Sequence, residues 1–243
     1  MKKGFLCSLL AILVIVSTFA VIRLGPIEKE KENTAAQGVI VVAQKQIDVP
    51  TIPQYPELPT GCEAVSATMV LQYYGVDITA QEFALHWLEC SENFYKVNGK
   101  MYGPDPNKVF AGNPFTNHSY GCFAEPIVHA VNRNSTDCQA HKITDRTLEE
   151  LCEEYIDNDK PLLIWATMNM KESYAGNSWY LEDGTKFTWV AQEHCLVLVG
   201  YNDAYYLLND PMSGSTVAYQ KSIVEKRFAE LGGQAVYISR KGL

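Results

Sequence analysis

Taken as apolar and polar positions, the chain opens with a continuous apolar run over 5–22, broken only by Cys7, Ser17 and Thr18 and preceded by Lys2 and Lys3. A charged stretch follows, and then helical patterns. Over 63–74 the polar positions are few (Glu63, Ser66, Thr68, Gln72) and apolar residues cover most of the circumference, which predicts a buried helix closed by Gly75. Thr79-Ala-Gln-Glu82 and Thr147-Leu-Glu-Glu150 are capping boxes. The first opens a helix to about Leu88; the second opens one whose apolar face is Leu148, Leu151, Cys152, Tyr155 and Ile156. Short helices are predicted over 126–132 and over 222–231, the latter stopped by Gly232-Gly233. "KPLLIWAT", "TKFTWV", "HCLVLVG", "AYYLLND" and "QAVYIS" predict strands. Helices precede an antiparallel sheet, so the fold class is α+β. Between them, 99–126 is rich in Gly, Pro and Asn and predicts a long functional loop. Its Tyr102, Phe110, Phe115, Tyr120 and Phe123 either line a substrate cleft or form the loop's own small core.

The N-terminal apolar run has the basic flank of a secretory segment. At about 1.5 Å per residue it reaches about 27 Å, enough to span a bilayer. Residues 1–24 thus read as a signal-anchor or a cleaved signal peptide, with the N-terminus inside and the remainder outside. Residues 25–38 read as a solvated linker, and 39–243 as one domain. The expected location is the cell membrane, single-pass with the domain outside, or secretion if the segment is cleaved. With 47% apolar residues the composition is that of a folded globular protein. The net charge of -8 argues against nucleic acid as a partner and leaves the N-terminal segment as the only membrane contact. A monomer is expected, with no cofactor and no metal.

Seven cysteines are present, without a Cys-x-x-Cys metal spacing. Cys152 and Cys195 fall in apolar patterns and read as core residues. Cys90, Cys122 and Cys138 lie in loop-like sequence, where a disulfide outside the cell stays open. Cys62 differs. In "YPELPTGCEAVSATMVLQYYG" it opens the buried helix, where unpaired N–H groups and the positive end of the dipole favour thiolate over thiol. Gly61 keeps the sulfur approachable.

A thiolate nucleophile needs a base, and the base an orienting partner. Of five histidines, His194 has a companion. It opens "HCLVLVG", which "YNDA" turns into "YYLLND", a hairpin signature. With a three-residue loop Gly200 pairs with Ala204 and His194 lies opposite Asp210; a four-residue loop shifts this by one. Glu193 and Asp203 are rival acids, Glu193 directed to the opposite face of its strand and Asp203 within the turn. The order Cys, His, Asp, with Cys on a helix and His and Asp on a sheet, is similar to thiol proteases of the papain type. These place a Gln amide ahead of the Cys to hold the oxyanion. Gln54, between Pro53 and Pro56, stands eight residues ahead of Cys62.

At these residues the chain resembles the peptidase C39-like family, stand-alone relatives of the domains that trim double-glycine leaders from bacteriocins. The resemblance rests on "QYPELPTGCEAVSATMVLQYYG", "GPDPNKVFAGNPF", "YGCFAEPI", "EHCLVLVGYND" and "LLNDP", in that order over about 47–239. It implies a papain-like fold with Cys62 as nucleophile, His194 as base, Asp210 as its partner and Gln54 as oxyanion donor. The expected activity is hydrolysis of peptide or protein substrates through an acyl-enzyme. The alternatives are acyl transfer or amide hydrolysis on cell-wall peptides by the same triad, or a non-catalytic peptide-binding module. Leader cleavage itself is not carried over, since transporter segments and an ATPase motif are missing from this sequence and its domain is expected outside.

Overall fold

The computed structural model describes residues 43–242. The segment 1–24 and the linker 25–38 lie outside the described residues, as do 39–42. In chain order the strands are β1 Lys45–Gln46, β2 Cys90–Ser91, β3 Tyr95–Val97, β4 Lys100–Tyr102, β5 Phe110–Ala111, β6 Cys138–Ile143, β7 Leu162–Thr167, β8 Tyr174–Tyr180, β9 Lys186–Ala191, β10 Glu193–Tyr201, β11 Tyr205–Asp210, β12 Ser215–Gln220 and β13 Ala235–Arg240. The helices are α1 Cys62–Tyr73, α2 Ala80–Glu82 (running on as a π turn over Phe83–Trp87), α3 Ala124–Asn134, α4 Leu148–Glu154 and α5 Lys221–Glu230. Among the described residues no helix is long and apolar enough to cross a membrane.

The fold is α+β. A seven-stranded sheet runs in the order β12-β11-β10-β7-β13-β6, with β1 added against β10. Every pairing in it is antiparallel. β7 and all of β10 but its last residue are buried, so both read as continuous apolar runs. α1 is buried from Cys62 to Leu71, including Glu63, Ser66 and Thr68, as a helix apolar on nearly all sides must be. Ser66 Oγ fixes α1 to the sheet by donating to the Cys195 carbonyl at 3.1 Å, and Thr68 Oγ donates back to Ala64 O at 2.8 Å. Both capping boxes form. Gly75 follows α1 with φ +83.

The β10–β11 hairpin departs from the expected register. Asn202 closes the turn, its Oδ1 accepting from the Ala204 and Tyr205 N–H groups at 2.9 and 2.8 Å. Tyr201 then pairs with Tyr206 and Gly200 with Leu207, rather than Gly200 with Ala204. An irregularity between Leu198 and Gly200 shifts the register again, to Leu198 with Leu208 and Val197 with Asn209. At the same point β1 pairs along the other edge of β10, where a Cβ on Gly200 would run into the Lys45 carbonyl oxygen and stand 2.9 Å from the Gln46 Cα. Continued down the strands, this register sets Asp210 against Leu196, one step along the same face from His194.

The stretch predicted as a long loop carries β4 and β5, with β2 and β3 just ahead of it. β3 and β4 join β8 and β9 in a second, four-stranded sheet. Of the aromatics in the stretch, Phe110 and Phe123 join the main core, and Tyr120 packs against that core and also lines the cleft described below. Phe110 is fully buried, Tyr102 packs against Tyr95 and Tyr180, and Tyr120 meets Trp179 at 4.7 Å and Trp189 at 5.5 Å. Phe115 stays exposed. The six cysteines among the described residues are unbridged, and Cys122 and Cys138 are buried rather than in exposed loops.

Candidate active site

Three of the residues singled out from sequence meet at one cleft of about 160 Å³. Gln54, Cys62, Glu193 and His194 line it, with Tyr120, Trp189, Met168 and Met212 as apolar walls. Each arrives by a local cause. Cys62 is the first residue of α1, set there by Gly61, whose N–H bonds the Leu58 carbonyl at 2.9 Å. A Cβ on Gly61 would stand 3.0 Å from that of Leu58 and 3.1 Å from that of Pro114, so a side chain there crowds the approach. Gln54 is held by its backbone: its N–H donates to Pro211 O at 2.8 Å and its carbonyl accepts from Leu58 N at 2.7 Å. Its Nε2 donates to Pro59 O at 2.9 Å, and its buried Oε1 has no hydrogen-bond partner.

The fourth residue, Asp210, stands behind His194. His194 Nε2 and Asp210 Oδ1 are 2.8 Å apart, both side chains almost wholly buried. The pair forms diagonally across the hairpin, not directly opposite. Asp210 Oδ1 also accepts from the Met212 N–H at 2.8 Å. Burial alone raises a carboxyl, but here His194 and the N–H groups of Met212 and Ser213 outweigh it and hold Asp210 below the usual carboxylate range. With Nε2 engaged, Nδ1 is the ring nitrogen left for chemistry.

Cys62 corrects the sequence reading of a thiolate. Its Sγ turns inward: the thiol donates to Glu63 Oε2 at 3.3 Å and accepts from the Cys195 N–H at 3.4 Å, and no hydrogen bond joins it to His194. Burial, then the carboxyls of Glu63 and Glu193 and the Cys195 thiol, push it well above the ordinary thiol value. Desolvation and neighbouring acids here outweigh the helix terminus.

Two acids complete the site. Glu63 is fully buried, and its Oε1 accepts from the Cys122 N–H at 2.6 Å. Burial pushes its carboxyl up to about 7, against the pull of that N–H and of the Cys62 thiol. Glu193 does point away from the His194 face, as alternation requires, and arrives beside Glu63. Burial first, then the Glu63 charge, raises it well above the carboxyl range. Its Oε1 has no hydrogen-bond partner. A Cβ on Gly121, at φ +141, would run into Glu63 Oε1 and stand 3.2 Å from Glu193 Oε2, so only glycine fits between them and the Cys122 N–H. Sequence alone offered one signal for this pair: an acid directly after Cys62 in a helix apolar on nearly all sides.

The profile of the Peptidase_C39 like family matches residues 46–236, and the chain belongs to this family. It is 26% identical over 215 residues to the uncharacterized protein YvpB of Bacillus subtilis (strain 168), covering 87% of this chain and 80% of that protein. A crystal structure described as that of a C39-like peptidase from Bacillus anthracis superposes with a TM-score of 0.70 at 26% identity, over 82% of this chain and 98% of the other. A double glycine motif protease from an AMS/PCAT transporter, solved with its leader peptide, gives a TM-score of 0.49 at 16% identity, over 82% of this chain and 97% of that one. Family and fold together support a peptidase-like function.

Proposed function

We propose that the chain is an extracytoplasmic cysteine peptidase that hydrolyses peptide bonds through Cys62, His194 and Asp210. The observation that carries this reading is the His194–Asp210 pair at 2.8 Å, engaged through Nε2, on the cleft that Cys62 and Gln54 also line. Asp210 fixes the ring tautomer and stabilises the imidazolium that forms in the reaction. Rotation of Cys62 away from Glu63 brings Sγ to the cleft, where His194 Nδ1 takes its proton as the sulfur attacks the substrate carbonyl. The developing oxyanion meets N–H groups at the start of α1, which have no intrahelical partner, and the second Nε2 hydrogen of Gln54. The imidazolium then protonates the leaving amine, and water releases the acyl group from sulfur. Trp189, Tyr120, Met168 and Met212 give the cleft an apolar wall, which suits an apolar side chain beside the scissile bond. The apolar segment over 5–22 behind Lys2 and Lys3 supports the outside location.

The test is digestion of a proteome-derived peptide library by the full chain, with new N-termini read by mass spectrometry. Wild type is expected to generate new termini after apolar residues, and Cys62→Ala and His194→Ala to generate none. Cleavage that survives Cys62→Ala rules the reading out, as does a wild type that leaves the whole library intact.

A further inference from the structure

Cys62 Sγ and one carboxylate oxygen each from Glu63 and Glu193 lie within 4.8 Å of one another, all three residues buried. Among the described residues neither carboxyl has a salt-bridge partner. The Glu63 carboxylate accepts from the Cys122 N–H and the Cys62 thiol, neither of them charged. Glu193 Oε1 is buried and meets no donor at all. Glu63 Oε1 and Glu193 Oε2 both border the space that a side chain at Gly121 would occupy. Two acids and a thiol in one buried space, with an acceptor unused, must be neutralised, by protons or by a bound cation that displaces them.

We propose that Cys62, Glu63 and Glu193 form a site for a borderline-soft divalent cation of the Zn²⁺ class, and that the ion holds the nucleophile off. A sulfur ligand selects Zn²⁺ over Mg²⁺ or Ca²⁺, and carboxylate oxygens complete a three-ligand set with one position open. Around tetrahedral zinc, with bonds of about 2.0–2.3 Å, ligand atoms stand about 3.5 Å apart, so side-chain adjustments of about 1 Å close the set. Entry is available because Cys62 and Glu193 both line the cleft. On binding, S–Zn and O–Zn bonds form and the displaced protons pass to solvent; nothing is oxidised or reduced. The sulfur lone pair that would attack a carbonyl is then engaged with the metal. Only this inhibitory effect rests on the peptidase reading, while the site itself does not.

The test uses the full chain in detergent micelles, freed of metal by a chelator and kept reduced by a phosphine. Co²⁺ is titrated as the spectroscopic probe, and Zn²⁺ then competes with it. The expected result is one equivalent of Co²⁺ with a thiolate-to-metal charge-transfer band that Zn²⁺ removes and Mg²⁺ does not. Cys62→Ser loses the band, and Glu193→Gln weakens Zn²⁺ binding at least about tenfold with the circular dichroism unchanged. Should Glu193→Gln unfold, Glu63→Gln carries the same expectation. The absence of a band, a band that persists in Cys62→Ser, or Zn²⁺ binding lost in His194→Ala yet unaltered in Glu193→Gln overturns the site. Peptide cleavage is not read, so this result stands apart from that of the library digestion.

Discussion

Asp210 accepts both from the His194 ring and from the backbone of the turn that follows it, so one carboxylate ties β10, β11 and the Pro211–Gly214 turn together. Its folded-state pKa lies below the ordinary value, so its contribution to stability is present above the unfolded-state pKa of about 3.9. That contribution is lost as pH falls through the folded value. Asp210→Asn is expected to reduce the loss of stability between about pH 4 and pH 2 relative to wild type, as read by denaturant unfolding across that range. An unchanged acid limb means that the pairing carries no folding energy.

Glu63 behaves in the opposite sense. A carboxyl raised from 4.5 to about 7 binds more protons folded than unfolded. Its contribution to stability is therefore fully present below the unfolded-state value and is lost as pH rises through about 7. Glu63→Gln keeps an acceptor for the Cys122 N–H and removes the titration. The difference in unfolding free energy between variant and wild type is expected to grow in favour of the variant by on the order of 2–3 kcal/mol between pH 4.5 and 7. A pH-independent difference excludes Glu63 as the group responsible.

Gly121→Ala tests the packing that brings the acids together. Its φ of +141 is one that side chains rarely adopt, and the added Cβ runs into Glu63 Oε1. Backbone strain and loss of the Cys122–Glu63 hydrogen bond are expected to cost about 2–4 kcal/mol, measured by urea unfolding. A variant within 0.5 kcal/mol of wild type, the range of an ordinary surface substitution, shows that the loop moves aside freely.

The resting thiol has its own signature. Burial and the two carboxyls raise Cys62, so its iodoacetamide labelling is expected to climb only above the ~8.5 of a free thiol. His194→Ala leaves that profile in place, because Sγ bonds Glu63 and the Cys195 N–H instead. Glu63→Gln shifts it to lower pH. A labelling plateau near pH 5–6 that His194→Ala abolishes describes an ion-paired thiolate, and the resting geometry then differs from the inward one.

Legibility followed the strength of the local signal. The helix opened by Cys62, the Gly75 cap, both capping boxes and the buried strands β7 and β10 were readable because apolar continuity and capping chemistry are local. β8 was not, since most of its residues are exposed and no alternation marks it, and β6 and β12 carry mixed patterns. The hairpin was visible but its register was not. The shift falls between Leu198 and Gly200, inside an apolar run whose pattern does not mark it. Alternation placed Glu193 on the correct face of its strand, but only the packing of α1 against β10 reveals Glu63 on the other side of the same space. The thiolate expected at Cys62 is displaced by a raised thiol for that reason: a helix terminus is legible in sequence, while the burial and the acids that outweigh it come from tertiary structure.

In the proposed mechanism His194 and Asp210 act as one unit on Cys62. A double-mutant cycle in kcat/KM on one peptide taken from the library digestion tests this, using His194→Ala, Asp210→Asn and the double variant, with Cys62→Ala as the blank. Asp210→Asn alone is expected to cost on the order of 10²–10⁴-fold, as the ring loses its tautomer and charge partner. In the His194→Ala background it is expected to cost almost nothing further, because groups that work as a unit are not additive. If Asp210→Asn costs the same with and without His194, or if Cys62→Ala retains activity, the two residues are not the machinery of this site.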